Sequence, residues 1–405
     1  MIIDGAAIRA EAEAFFNPGG GRHHAKVLQE ILDSLEPVDF REIGDLKPDD
    51  RIPQKAHIVL TVQAVLAKAK ELNCGLCKNQ DFVYSYNGEF WQLIDKDALE
   101  NFLGEAAERV GVDTITARYH RTKKELVNQF LSDAYLPKPE VTYNRVLINL
   151  RNGTFEVGTD GFRLRGFDPD DFLTYQLPFG YLEVAGCPKW KNFLSEVLPD
   201  ENCQAVLAEF VGYIFARHLK LEKTLILYGT GANGKSVVFD VITALLGSNN
   251  ISNISLESIS KDQYYRAMLA NKLLNYAPEI SNKLQAEKFK QLTSGEPIEA
   301  RLPYGQPMTL RDYARLAFNS NDLPRDVEHT EAFFRRFLII PFGVTIPEQQ
   351  RNPNLAKEII RAELSAVFNW ILEGLQRLLT QPCSQCPFFC IQTSSKVADD
   401  FPESL

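Results

Sequence analysis

The chain has little of what a secreted or membrane protein of this size carries. No uninterrupted apolar run approaches about 18 residues, so no membrane-spanning helix is expected. The N-terminal stretch MIIDGAAIRAEAEAFF carries Asp4 and no basic start before a long apolar core, so no secretory signal is expected. The seven cysteines are an odd number scattered over a long chain, which argues for reduced thiols rather than a disulfide framework. Positive charge is also scarce. The 44 Lys+Arg stand against 53 Asp+Glu, a net charge of −9. Such a chain does not coat nucleic acid with its whole surface, and any contact must be local, as in a groove or pore. Internal repeats and low-complexity segments are absent. What remains is 405 residues, 45% of them hydrophobic, enough for a sizeable core and two or three domains.

A little past the middle stands GTGANGKS, residues 229–236. It fits G-x-x-x-x-G-K-[ST], the phosphate-binding loop, a pattern met by accident about one time in a hundred in a chain this long. TLILY (224–228) precedes it and reads as a buried strand; VVFDVITALLG follows and reads as a helix stopped by Gly247. Glycines let backbone N–H groups turn inward around phosphates, and a helix N-terminus adds positive potential. Lys235 suits the β- and γ-phosphates, and Ser236 suits Mg²⁺. Thr230, Gly231, Ala232 and Asn233 complete the loop between Gly229 and Gly234.

Hydrolysis needs three further groups. Glu279, after the strand LLNYA, suits a base that polarises water. Asn321, after RLAF, suits water or the γ-phosphate, although an Asn-Asp turn ahead of Pro324 is a serious rival. Arg335 and Arg336 suit transition-state charge, supplied by a neighbouring subunit; surface ion pairing is the plain alternative. Apolar strands alternating with helices suggest a mostly parallel α/β sheet with the site at the strand ends.

Elsewhere the pattern predicts a loop at NPGGGRHHA (17–25), a helix at 55–72 and a hairpin in FVYSYNGEFWQL (82–93). A second hairpin turns at Asn152-Gly153, and 187–219 reads as helices broken at Pro199. KQLTSGEPIEARLPYGQPMTL (290–310) reads as a connector and a hairpin with a Pro/Gly-rich tip, and 354–379 as one or two C-terminal helices. RYHRTKKE (118–125) reads as a solvated charged face ahead of a DNA contact. His23 and His24 fit a solvated loop better than a metal. Cys74 and Cys77, with Cys383, Cys386 and Cys390, could form a zinc site, but ordinary thiols are the better reading.

The motif set LILYGTGANGKSVV, KLLNYAPEIS, KQLTSGEPIEAR, NSNDLP and FFRRFLIIPF resembles superfamily 3 helicases. The likeness is to the C-terminal part of phage and plasmid primase–helicases and to the related poxvirus-type proteins. It spans roughly Phe82 to Leu379. The resemblance implies an α/β fold: a P-loop, AAA+-like parallel-sheet ATPase domain, preceded by an α+β module and followed by C-terminal helices. It implies Walker A residues at Gly229, Gly234, Lys235 and Ser236, a Walker B carboxylate at Glu279 and a sensor at Asn321. It makes Arg336 the arginine finger ahead of Arg335. It places a DNA-contacting hairpin between Lys290 and Met308, with Lys290, Arg301 and Tyr304 as contacts. The implied protein uses ATP and Mg²⁺, forms a homo-hexamer on single-stranded DNA and works beside a separate primase. Its implied setting is the cytoplasm of a bacterial host, encoded by a mobile element.

Pro278 departs from the pattern by replacing an aspartate, which leaves Mg²⁺ mainly to Ser236 and the phosphates. Residues 1–80 are too short for a primase domain, and SSKVADDFPESL looks like the start of a further module. The expected divisions are 1–78, 79–200, 201–345, 346–380 and a tail, 381–405. Two rival readings stay open: an ATP-switched DNA-binding or primase-loading assembly with little unwinding, and an RNA-directed or packaging ATPase.

Overall fold

The computed structural model describes residues 23–45, 47, 49–136, 145–183, 186–278, 285–302, 306–321 and 335–380. They fall into two compact units: residues 166–176 join the residues up to 136, while 145–165 join those from 177 onward.

The first unit packs α1 (His24–Ser34), α2 (Gln54–Glu71), α3 (Lys96–Arg109), α4 (Thr114–Arg118) and α5 (His120–Asp133) around one apolar core. Val27 and Ile31 of α1, Val62 and Val65 of α2, Phe102 and Leu103 of α3, and Phe130 of α5 all belong to that core. The expected boundary at 78 therefore fails: it would cut a single core and expose the facing helix stripes. The expected loop at 17–25 also ends early, because His24 opens α1 and the His23 Nδ1 accepts a cap hydrogen bond from Ala25 N–H (3.3 Å). Strands β1 (Leu76–Asn79), β2 (Phe82–Tyr86) and β3 (Trp91–Ile94) form an antiparallel sheet. Phe172 joins this unit by stacking on Trp91 (5.3 Å), whose indole N–H donates to the Pro169 carbonyl (2.8 Å).

The second unit opens with the antiparallel β4 (Arg145–Leu150), β5 (Gly153–Gly158) and β6 (Gly161–Arg165), then α6 (Pro188–Val197) and α7 (Glu201–Phe215). The expected 79–200 module is thus divided between the units. Its main layer is a five-stranded, wholly parallel sheet of order β13-β7-β12-β9-β8. These strands are β7 (Thr224–Tyr228), β8 (Ile251–Ser252), β9 (Leu274–Ala277), β12 (Arg315–Ser320) and β13 (Phe337–Pro341). Helix α8 (Lys235–Leu246) follows β7, and the short α9 (Leu256–Lys261) and α10 (Gln263–Ala267) lead to β9. Parallel strands covered on both faces need apolar side chains throughout, as LILY and RLAF supply. Helix α11 (Ala286–Thr293) leads into a separate hairpin, β10 (Ile298–Arg301) and β11 (Pro307–Leu310).

Helix α12 (Leu355–Thr380) is one continuous helix and crosses α7 closely. A Cβ on Gly374 would lie 2.5 Å from the Ala208 carbonyl carbon, and one on Gly212 would lie 2.9 Å from the Leu375 Cα. Glu363 of α12 also caps α6: its carboxylate accepts from Lys189 N–H (3.0 Å) and Trp190 N–H (2.9 Å). No described helix is long and apolar enough to cross a membrane.

Candidate functional site

The loop between β7 and α8 lies at the C-terminal edge of the parallel sheet. Its path needs left-handed backbone at three positions: Gly231 (φ +110°), Ala232 (φ +50°) and Gly234 (φ +85°). Two close approaches fix which residues fit. A Cβ on Gly229 would lie 2.5 Å from the Phe342 carbonyl oxygen, and one on Gly234 would lie 2.9 Å from Val197 Cγ1 and 3.0 Å from the Phe193 ring. Helix α6 thus forms the floor beneath the last glycine.

Asn233 is buried and holds the loop together. Its Nδ2 donates to the Phe342 carbonyl (3.0 Å), just past β13. Its Oδ1 accepts from Lys235 Nζ (3.1 Å), which also donates to the Gly229 carbonyl (2.5 Å). Burial holds the Lys235 pKa below the ordinary lysine value. Ser236, in the first turn of α8, is exposed, as are Thr230 and Ala232. Among the described residues no group of three or more His, Cys, Asp or Glu could hold a metal.

Beside the loop, Gly229 N–H donates to the Ser320 carbonyl (3.1 Å), so the end of β12 lies against the start of the loop. Asn321 follows Ser320 and is exposed at that rim. Two residues earlier, Asn319 is buried and its Nδ2 meets the Tyr276 hydroxyl of β9 (2.5 Å). Tyr276 stacks on Phe239 of α8 at 3.5 Å and 13°. Burial, reinforced by Asp240, pushes the Tyr276 hydroxyl up to about 12. Sequence reasoning missed Phe193, Val197, Phe342, Asn319 and Tyr276 as parts of this neighbourhood. Only Asn319 left a signal, as a polar residue directly after the apolar run Leu316–Phe318 of β12.

Glu279 and Tyr304 lie outside the described residues. Arg335 and Arg336 precede β13, at the opposite edge of the sheet, because Phe337 pairs with Thr224 at the start of β7. The five residues of β7 separate that level from Gly229, roughly 17 Å at about 3.3 Å per residue. Within one chain the arginines and the loop are therefore not brought together. Arg336 is buried, with its Nη2 3.1 Å from Glu222 Oε2 and 3.3 Å from Ser294 Oγ. Arg335 has its side chain 58% exposed, 3.6 Å from the same carboxylate.

Arg301 ends β10 opposite Pro307, at the tip end of the hairpin, and Lys290 lies half-buried on α11. Arg266 anchors the hairpin by donating from Nε to the Glu299 carbonyl (2.6 Å). Cys74 and Cys77 are buried in different apolar clusters, and burial pushes the Cys77 thiol up to about 12, which suits packing rather than ligation. The other three candidate cysteines lie outside the described residues.

Residues 227–336 match a family described as one of unknown function (DUF5906), and residues 66–199 match the family described as D5 N terminal like. The chain is similar to the protein named "Putative helicase L207/L206" of Acanthamoeba polyphaga mimivirus, with 26% identity over 211 residues, covering 49% of this chain and 22% of that protein. It is also similar to "Putative helicase 121R" of Invertebrate iridescent virus 3, with 22% identity over 233 residues, covering 53% of this chain and 24% of that one. The chain spans less than a quarter of the length of these relatives. Among solved structures, the apo C-terminal region of NrS-1 shares the fold with a TM-score of 0.51 at 15% identity, covering 82% of this chain and 76% of that chain.

Proposed function

We propose that the chain is an ATP-hydrolysing DNA helicase of phage or plasmid replication; the D5 N terminal like match and the similarity to proteins named putative helicases support a phage and viral primase–helicase family. The observation that carries this reading is the loop itself. A strand, a glycine loop with left-handed backbone and a helix opening on Lys235 and Ser236 stand at the C-terminal edge of a five-stranded parallel sheet. That supports an AAA+-like phosphate-loop ATPase.

In this reading the backbone N–H groups of Gly231–Ser236 cradle the phosphates, and Lys235 exchanges its loop partners for phosphate oxygens. The donor set fits Mg²⁺: an exposed hydroxyl at Ser236, with the nucleotide supplying the rest. The ion, when bound, neutralises phosphate charge. The water oxygen attacks the γ-phosphorus, the bond to the bridging oxygen breaks, ADP leaves, and Glu279 receives the water proton. Asn321 at the rim orients that water. Arg335 is the better finger than Arg336, because the Arg336 guanidinium is buried against Glu222 and Ser294. The distance across the sheet means that it serves a neighbouring copy, which a ring such as a hexamer provides. Arg301 at the hairpin, Lys290 behind it and Tyr304 touch single-stranded DNA in the pore. That arrangement lets an acidic chain bind DNA.

The test is steady-state ATP turnover with and without single-stranded DNA, beside Lys235→Ala and Glu279→Gln. DNA-stimulated turnover that both substitutions abolish supports the motor. Nucleotide-dependent assembly without turnover or strand separation would favour the loading assembly instead.

A further inference from the structure

Asn319 is 9% exposed, and among the described residues its side-chain oxygen has no hydrogen-bond partner. Reversing the amide does not remove the problem. Tyr276 satisfies one end in either orientation and leaves the other open. A buried polar atom without a partner destabilises the fold. A strand residue at this depth would ordinarily be apolar, like its neighbour Phe318. The position of the exception is informative. Asn321 is the first residue past the end of β12, two positions on from Asn319, and is exposed at the rim beside the loop. Tyr276 pins the inner amide from the adjacent strand, and Phe239 of α8 pins Tyr276 by stacking. The inner asparagine is therefore rigidly held, with one hydrogen-bonding end left over.

We propose that Asn319 is a positioning residue for hydrolysis: its open amide end binds a water that tethers Asn321, so that Asn321 presents its amide to the attacking water in one orientation. This deepens the ATPase reading and rests on it. The chemistry of the step is unchanged; what Asn319 supplies is the geometry of the group that holds the nucleophile, and geometry of this kind is worth large factors in rate.

The experiment uses the full chain with four readouts: thermal stability, affinity for a non-hydrolysable ATP analogue, the KM for ATP and kcat. Asn319→Leu matches the shape and removes the unpaired group. We expect unchanged or raised thermal stability, unchanged analogue affinity and KM, and kcat lowered about tenfold or more. Tyr276→Phe releases the amide and should lower kcat by a smaller factor. The double variant should be no slower than Asn319→Leu, since both act through one unit. Asn319→Gln, which keeps an amide, should recover part of the rate. Full kcat in Asn319→Leu overturns the proposal, as does a fall in kcat that tracks a loss of stability. The wild-type chain and Lys235→Ala are measured first. Wild-type turnover that Lys235→Ala abolishes leaves the ATPase reading standing whatever the Asn319 variants do, whereas absent wild-type turnover sinks both.

Discussion

Asn233 Nδ2 donates to the Phe342 carbonyl at 3.0 Å, joining the loop after the first strand of the parallel sheet to the chain leaving its last. One side chain thereby sets the height of the loop above the sheet edge and, through Oδ1, the resting place of Lys235 Nζ. Asn233→Ala should strand the buried Phe342 carbonyl, at a cost of about 1–3 kcal/mol. It also releases Lys235. The expected outcome is a lower midpoint in chemical denaturation together with weaker binding of an ATP analogue. Binding left intact would show that the loop holds its shape without this clamp.

Gly234 is constrained twice, by φ +85° and by the approach of Val197 and Phe193. Gly234→Ala should therefore cost about 1–2 kcal/mol in left-handed strain and a further 1–3 kcal/mol in overpacking against α6. The two parts are separable. Val197→Ala in the same chain relieves the 2.9 Å contact but not the strain, so it should recover stability in part. Thermal unfolding of both single variants and the double checks this. Complete recovery would mean that the backbone strain is negligible.

The loop was legible because glycine and lysine at fixed spacing have few other uses, and the strand and helix beside it are set by local apolar pattern. The two Asn-Gly hairpins were legible for the same kind of reason, since Asn87-Gly88 and Asn152-Gly153 each mark their own turn. The division into units was not legible. Nothing local tells that Val27 and Phe130 share a core, or that Phe172 returns to stack on Trp91. The two arginines show the same limit. Their sequence neighbours are identical in kind, but one meets Glu222 and Ser294 in the interior and the other faces outward. Burial is decided by the tertiary register of β13 against β7, which single-sequence patterning does not carry.

Glu209 of α7 is wholly buried and meets Arg377 of α12 at 2.9 Å, while the Arg377 side chain is 32% exposed. The asymmetry predicts unequal single substitutions. Glu209→Gln leaves a partly hydrated guanidinium that can turn toward water. Arg377→Ala leaves a carboxylate in the helix crossing with its cation gone, at a cost on the order of 3 kcal/mol. Denaturation midpoints should therefore fall further for Arg377→Ala. Equal losses would mean that the carboxylate reaches water once the arginine is removed.

Glu156 in the middle of the β4–β6 sheet predicts a pH dependence. Its side chain is 8% exposed and is met by Arg145, by Arg163 (3.0 Å) and by Arg165 (3.3 Å). Burial opposes ionisation, but the hydrogen bonds from Arg163 and Arg165 outweigh it and hold the carboxyl below the ordinary glutamate value. A group whose pKa is lower folded than unfolded stabilises the fold fully above its unfolded pKa, about 4.3. That contribution is lost as pH falls through the folded value. Wild-type thermal stability should therefore drop below about pH 4.3 more steeply than that of Glu156→Gln, whose amide does not titrate. At neutral pH the variant should be the less stable of the two, because three arginines then face an uncharged group. Melting curves of both proteins across the acid range decide it: parallel curves would mean that the arginines hold Glu156 no better in the folded chain than water does in the unfolded one.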